Sequence, residues 1–172
     1  MEPLKDRVEL ASGNAFIEWL NEKSGSNYSY SGRADEAPDL IYKDGVNEIR
    51  IEHTGAYYDS SHAAFIWKGM RTDDEIIGPW VGCNPDENLY CEIKHRIEEK
   101  CKKDYGRNCV LLVEIPPGGT SFEELEELLL PFSNIPGFKR FIGIYVAGRF
   151  PITTRSVGGY RVITIKGISA NM

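Results

Sequence analysis

The sequence predicts an α/β domain: a mixed central sheet that begins with a β-hairpin and is flanked by helices. Three observations predict it. A helix-period segment opens the chain. Two strand-like stretches then meet around Asp44-Gly45. Two further helix-period segments each run into a strongly apolar stretch of strand length, at residues 108–115 and 141–147. Helices between buried strands act as crossovers. Right-handed crossovers onto a hairpin give a mixed sheet with helices on its faces.

Each element has its own signal. Between residues 6 and 23, Val8, Ala11, Ala15, Phe16, Trp19 and Leu20 recur at three and four, and Gly25 offers a stop. Residues 24–37 are rich in Ser, Gly, Asn and Tyr and read as loop. Residues 39–43 and 47–54 form the hairpin. Residues 63–70 fit a short helix or a strand, and residues 76–83 read as extended with a break at Gly78-Pro79. Asn84-Pro85-Asp86-Glu87 is a helix start, with carboxylates where the helix dipole favours them. That helix runs to about Tyr105 with Leu89, Ile93, Ile97 and Cys101 in one stripe. Residues 108–115 read as a strand buried on both faces. Ser121 and Glu124 make a capping box for a helix that continues to Leu130. Residues 141–147, 152–154 and 161–166 read as strands, the last two joined at Gly158-Gly159.

Composition bounds the function. The 172 residues suit one domain, residues 1–172, whose C-terminal part reads as a helix and strands over 120–167. Apolar residues are 41% and charged residues 27%, so a disordered or coiled-coil chain is excluded. The net charge of −6 argues against coating nucleic acid or anionic membrane by bulk charge, although a local basic groove stays compatible with it. No stretch reaches the ~18 apolar residues of a membrane span, and the start, MEPLKDRVEL, lacks the apolar core of a secretory signal. A cytoplasmic protein is expected. Cys83, Cys91, Cys101 and Cys109 lack C-x-x-C spacing and are read as reduced, mostly buried thiols.

The hairpin carries the chemistry. With the turn at Asp44-Gly45, paired residues sum to about 89 and Asp39 lies opposite Arg50. Alternation places Asp39, Glu48, Arg50, Glu52 and Thr54 on one face. Leu40, Tyr42, Ile49 and Ile51 occupy the other, with His53 on this core side. Clustered carboxylates repel unless a cation compensates. Such oxygen clusters suit Mg²⁺, which binds through one or two carboxylates plus phosphate and water.

Pro38-Asp39 followed after twelve residues by Glu52-His53-Thr54 resembles the PD-(D/E)xK nuclease superfamily, the fold of many restriction and repair endonucleases. The resemblance covers roughly residues 5–115 and implies a restriction-endonuclease-like core. It implies that Asp39 and Glu52 bind Mg²⁺, with Glu9 or Glu18 of the first helix as accessory ligand. It also implies a lysine two residues after the acid, where this chain has Thr54. Arg50, Lys94 or Lys100 are candidates to take over that role. A second alignment uses Glu48-Ile49-Arg50 as the acid-x-base triplet, although arginine holds its proton too firmly to be a base. Glu52 fits the spacing better. Lys94, His95 and Arg96 form a short basic patch suited to a phosphate backbone.

The expected function is a Mg²⁺-dependent phosphodiesterase, endonuclease-like, acting on DNA. The alternative on the same scaffold is a catalytically inactive protein-binding or nucleic-acid-binding module. A third reading is an unrelated, metal-free α/β protein with a solvated acidic hairpin, in which Arg50 pairs with Glu48 or Glu52. Nucleic acid and a homodimeric second copy are the partners left open, and no membrane is expected. His62 is read as part of a polar loop. Tyr57, Tyr58 and Trp67 are read as core before base-stacking residues, and Gly118-Gly119 as plain helix capping.

Overall fold

The computed structural model describes residues 3–57, 85–117, 120–132, 136–153 and 158–168. The chain begins with α1 (Leu4–Ser24), β1 (Ser29–Gly32), β2 (Leu40–Asp44) and β3 (Asn47–Gly55). It continues with α2 (Pro85–Cys101), β4 (Cys109–Glu114) and α3 (Phe122–Leu129). A 3₁₀ turn at Phe138–Arg140, β5 (Gly143–Phe150) and β6 (Gly159–Lys166) complete it. The six strands form one mixed sheet whose spatial order is the chain order. β3–β4 and β4–β5 pair in parallel, and the remaining neighbours are antiparallel.

The parallel pairs are bridged by α2 and α3. Both crossovers advance the sheet in the same direction, so both helices lie on one face. Leu89, Ile93 and Ile97 of α2 and Leu125 and Leu129 of α3 pack there with Leu111, Val113, Ile144 and Val146. On the opposite face, Phe16, Ile17 and Leu20 of α1 pack with Leu40, Tyr42, Ile49, Ile51, Val110 and Leu112. β4 is buried on both sides up to Glu114, as its unbroken apolar run requires.

The inward stripe of α1 is Glu9, Ser12, Gly13, Phe16, Ile17 and Leu20, whereas Ala11 is exposed. Small residues let the sheet come close. A Cβ at Gly13 would lie 2.5 Å from Leu40 Cδ1 and 2.7 Å from Tyr42 Oη. The Tyr42 hydroxyl donates to Asn14 Oδ1 at 2.9 Å. Gly25, with φ 69°, ends the helix in the left-handed conformation that glycine adopts freely.

The hairpin register differs from the expectation by two residues. Leu40 pairs with Ile51 and Asp44 with Asn47, so the two-residue loop is Gly45-Val46. Gly45, at φ 59°, takes the first loop position, where hairpins of type II′ place glycine. A slip of two leaves every side chain on its expected face, because the side-chain period is two.

Other boundaries also change. β1 falls in the stretch read as loop. It is an exposed edge strand with no apolar alternation, held by backbone pairing to β2 and by Tyr30 against Tyr42. α2 ends at Cys101, and residues 102–105 are turn and irregular chain. Ile152 and Thr153 are not strand; β5 instead extends to Phe150 and pairs directly with β6. The capping box holds on the Ser121 side, whose Oγ accepts from Glu124 N at 3.2 Å. Cys101 and Cys109 are buried free thiols, whereas Cys91 is exposed. The expectations for Tyr58, His62, Trp67, Cys83 and Gly118-Gly119 fall outside the described residues, as do those for residues 63–70 and 76–83. No helix among the described residues is long and apolar enough to cross a membrane.

Candidate functional site

A cavity of about 370 Å³ lies at the carboxyl ends of the central parallel strands β3 and β4. Open α/β sheets often bind ligands at these strand ends. Asp39 enters from the start of β2, and Glu52, His53 and Thr54 from β3. Glu114 comes from the end of β4, Lys5 and Glu9 from α1, and Arg96 and Lys100 from α2. Larger hollows exist among the described residues, of about 500, 570 and 700 Å³, but they are lined by no carboxylate, by Asp44 alone and by Glu126 alone, respectively. The donor set, not the volume, distinguishes the smaller cavity.

The hairpin fixes the acidic pair. The residue before β2 stands next to Glu52 by extension of the Leu40–Ile51 pairing. Asp39 Oδ2 accepts from the main-chain N–H of His53 at 2.9 Å, which ties the two strands together at this point. Glu52 is only 4% exposed. A carboxylate that deep needs compensation. Lys100 supplies it by reaching from α2 to donate to Glu52 Oε1. Burial is the largest influence on the Glu52 carboxyl and raises its pKa. Lys100 pulls it down, Asp39 adds to the rise, and the net shift is upward.

The other Glu52 oxygen, Oε2, is buried without a hydrogen-bond partner. Tyr105 stands beside it. The Tyr105 phenol has a raised pKa, first because it is buried and then because of the Glu52 charge. The hydroxyl and Glu52 interact, which lowers the Glu52 pKa and raises that of Tyr105, although the contact falls short of full hydrogen-bond geometry. Lys100 Nζ lies 5.9 Å from the Tyr105 ring centre, so Glu52, Lys100 and Tyr105 form one cluster.

The remaining candidates divide clearly. Thr54 is buried on the Glu52 side of the sheet and carries no charge. Arg50 turns to the surface end of the hairpin and donates to Glu48 Oε1 at 2.8 Å. Glu9 lines the cavity, but both its oxygens are engaged, by Lys5 at 3.3 Å and by Arg33 at 3.0 Å. Glu18 is exposed, nine residues or about 13.5 Å further along α1. Arg96 lines the cavity while pairing with Glu92 at 2.7 Å. Lys94 and His95 are exposed on α2.

The sequence places His53 on the core side of its strand and gives Glu114, Arg33 and Tyr105 no motif; His53 and Glu114 both line the cavity. His53 Nε2 lies 2.9 Å from Glu114 Oε2, joining the ends of β3 and β4. Glu114 could have been singled out as a carboxylate closing an otherwise apolar strand. Arg33, which anchors the chain after β1 to Glu9 and to the Asp6 carbonyl, and Tyr105 sit in sequence contexts with no motif.

Asp39 and Glu52 are compatible with a hard divalent cation, because Glu52 keeps an unpartnered buried oxygen and Mg²⁺ needs only one or two protein carboxylates. No group of three or more His, Cys, Asp or Glu is gathered for a metal among the described residues. Comparison of the chain with protein-family models, with curated proteins and with solved structures gives no match.

Proposed function

We propose that the protein is a divalent-cation-dependent phosphodiesterase that cleaves DNA, on a divergent restriction-endonuclease-like core. One observation carries this reading: Lys100 of α2 meets Glu52 in a cavity shared with Asp39. An acid, a second acid and an ammonium are the groups the motif resemblance calls for. Here the lysine comes from the crossover helix instead of the position held by Thr54. The order helix, hairpin, helix, buried strand also suits that core.

Asp39 and Glu52 would hold Mg²⁺, which when bound would lower the pKa of water and offset charge on a phosphoryl group. The chain's own contributions are positional and electrostatic. The His53 N–H fixes the Asp39 carboxylate. Lys100, on its flexible stem, supplies positive charge to oxygen developing charge in the transition state. Arg96 at the cavity wall suits a passing phosphate backbone, whereas Lys94, about 200° round the helix from it, faces away from the cavity. Such contacts need only local charge, so the net −6 is no obstacle.

The test is incubation with plasmid and oligonucleotides in Mg²⁺ or Mn²⁺, with calorimetric titration of each metal. Metal-dependent cleavage that Asp39→Ala lowers at least 100-fold is expected. No cleavage, together with Asp39→Ala binding metal as the wild type does, would sink the proposal. Thr54 at the motif-lysine position favours a second reading, a silent binding module of the same fold. Measurable turnover removes that reading.

A further inference from the structure

We propose that Lys100 is a resident counter-ion that a divalent cation displaces from Glu52, so that filling the site releases the ammonium into the cavity. This inference rests on the proposed Asp39–Glu52 cation site and adds how that site is held when no cation is bound.

The geometry supports it in three ways. First, among the described residues Lys100 is the cation in contact with Glu52. Arg50 and Arg96, the nearby alternatives, are bonded to Glu48 and Glu92. Second, the ammonium and a divalent cation compete for the same electron pairs. Glu52 Oε1 is taken by Lys100, while Oε2 is buried and completes no full hydrogen bond, with the Tyr105 hydroxyl the other polar group acting on the carboxylate. A metal and an ammonium both held on one small carboxylate would repel strongly in a poorly solvated site. Third, the two partners differ in freedom. The Glu52 side chain is 5% exposed and set in a central strand, whereas that of Lys100 is 24% exposed on a four-carbon stem and lines the same cavity. When the pair breaks, Lys100 is the member that moves, and the open cavity is where it can go.

The two functions of Lys100 then oppose each other in a measurable way. It weakens cation binding by competing for Glu52, and it assists cleavage once displaced. Lys100→Met is therefore expected to bind Mn²⁺ roughly tenfold more tightly by calorimetry while cleaving at least tenfold more slowly. Lys100→Arg, which keeps the charge, should bind Mn²⁺ as weakly as the wild type. A merely structural lysine would lower binding and cleavage together. The wild-type chain gives a second readout without mutation. Acylation of Lys100 by a succinimidyl ester, followed by mass spectrometry, should increase several-fold in saturating Mg²⁺ and stay unchanged in Asp39→Ala.

The outcomes separate the two ideas. Asp39-dependent metal binding, with Lys100→Met no tighter and Lys100 acylation unaffected by Mg²⁺, overturns this inference and leaves the phosphodiesterase reading standing. No Asp39-dependent metal binding in wild type or Lys100→Met overturns both.

Discussion

The hairpin carries two glutamate–cation pairs four residues apart, and they behave in opposite ways. Near the turn, Glu48 receives Arg50 at 2.8 Å and Lys43 at 3.7 Å. Its carboxyl pKa lies below the ordinary value, mainly through the Arg50 hydrogen bond. At the far end, Glu52 receives Lys100, yet its carboxyl pKa is raised, because burial outweighs the lysine. Both acids lie on the same sheet face. What separates them is the cover: α2 lies over Glu52, while the turn end stands open to water. A cation beside an acid is therefore not in itself a site. The acid must be buried enough for its charge to remain incompletely compensated.

Three predictions would break or sharpen that contrast. The largest concerns activity. Glu52→Gln should lower metal-dependent cleavage at least 100-fold (~2.7 kcal/mol or more), whereas Glu48→Gln should stay within about twofold, both measured as initial rates on a labelled oligonucleotide. Equal losses would show that the second alignment, through Glu48 and Arg50, had equal claim to the chemistry.

The second concerns stability. Lys100→Met leaves the Glu52 charge buried and should cost about 2 kcal/mol at pH 7, less than the ~3–5 kcal/mol of a fully buried broken pair because Lys100 is partly exposed. Arg50→Met removes a surface pair and should cost no more than ~0.5 kcal/mol. Urea unfolding measures both, and similar costs would remove the distinction.

The smallest effect is a difference in pH slope. Glu52 has a folded pKa above the ordinary 4.5. Its folded form binds more protons, so the stability it gives is full below 4.5 and is lost as pH rises through the folded pKa. Glu52→Gln should therefore melt higher than wild type at pH 7, with the difference gone near pH 4. Glu48 has the opposite sign: its contribution is present above 4.5 and is lost as pH falls below it. Glu48→Gln should melt marginally lower at pH 7 and converge with wild type in acid. A Glu52→Gln variant melting lower at pH 7 would mean that Lys100 fully compensates the acid.

The face assignment was legible because it depends only on period two. Asp39 and Glu52 share a face whether paired residues sum to 89 or 91, so the misplaced turn did no harm. The strand β4 was legible from an apolar run that only a doubly covered position tolerates. Glu9 and Glu18 could not be told apart by residue type. The distinction comes from Arg33 and from small Gly13, which decide the face that α1 buries. Lys100 was one of three candidates and could be chosen only once the crossover helix was placed over the sheet. β1 gave no pattern, because an exposed edge strand needs no apolar side chains. Tyr105 sits beyond the end of its helix, where no periodicity applies.

The strand order has a consequence for assembly. Because spatial order equals chain order among the described strands, each of them pairs with its predecessor, and the hairpin bearing Asp39 and Glu52 closes through a two-residue loop. Docking β4 beside β3 instead closes the chain across residues 56–108, with an entropic penalty that rises only slowly with length. The acids are thus local partners, available early as the chain collapses. The Lys100–Glu52 contact, 48 residues apart, has to wait for the crossover. The helix that carries Lys100 packs on the sheet face that holds Glu52, so one element supplies both cover and counter-ion for the acid.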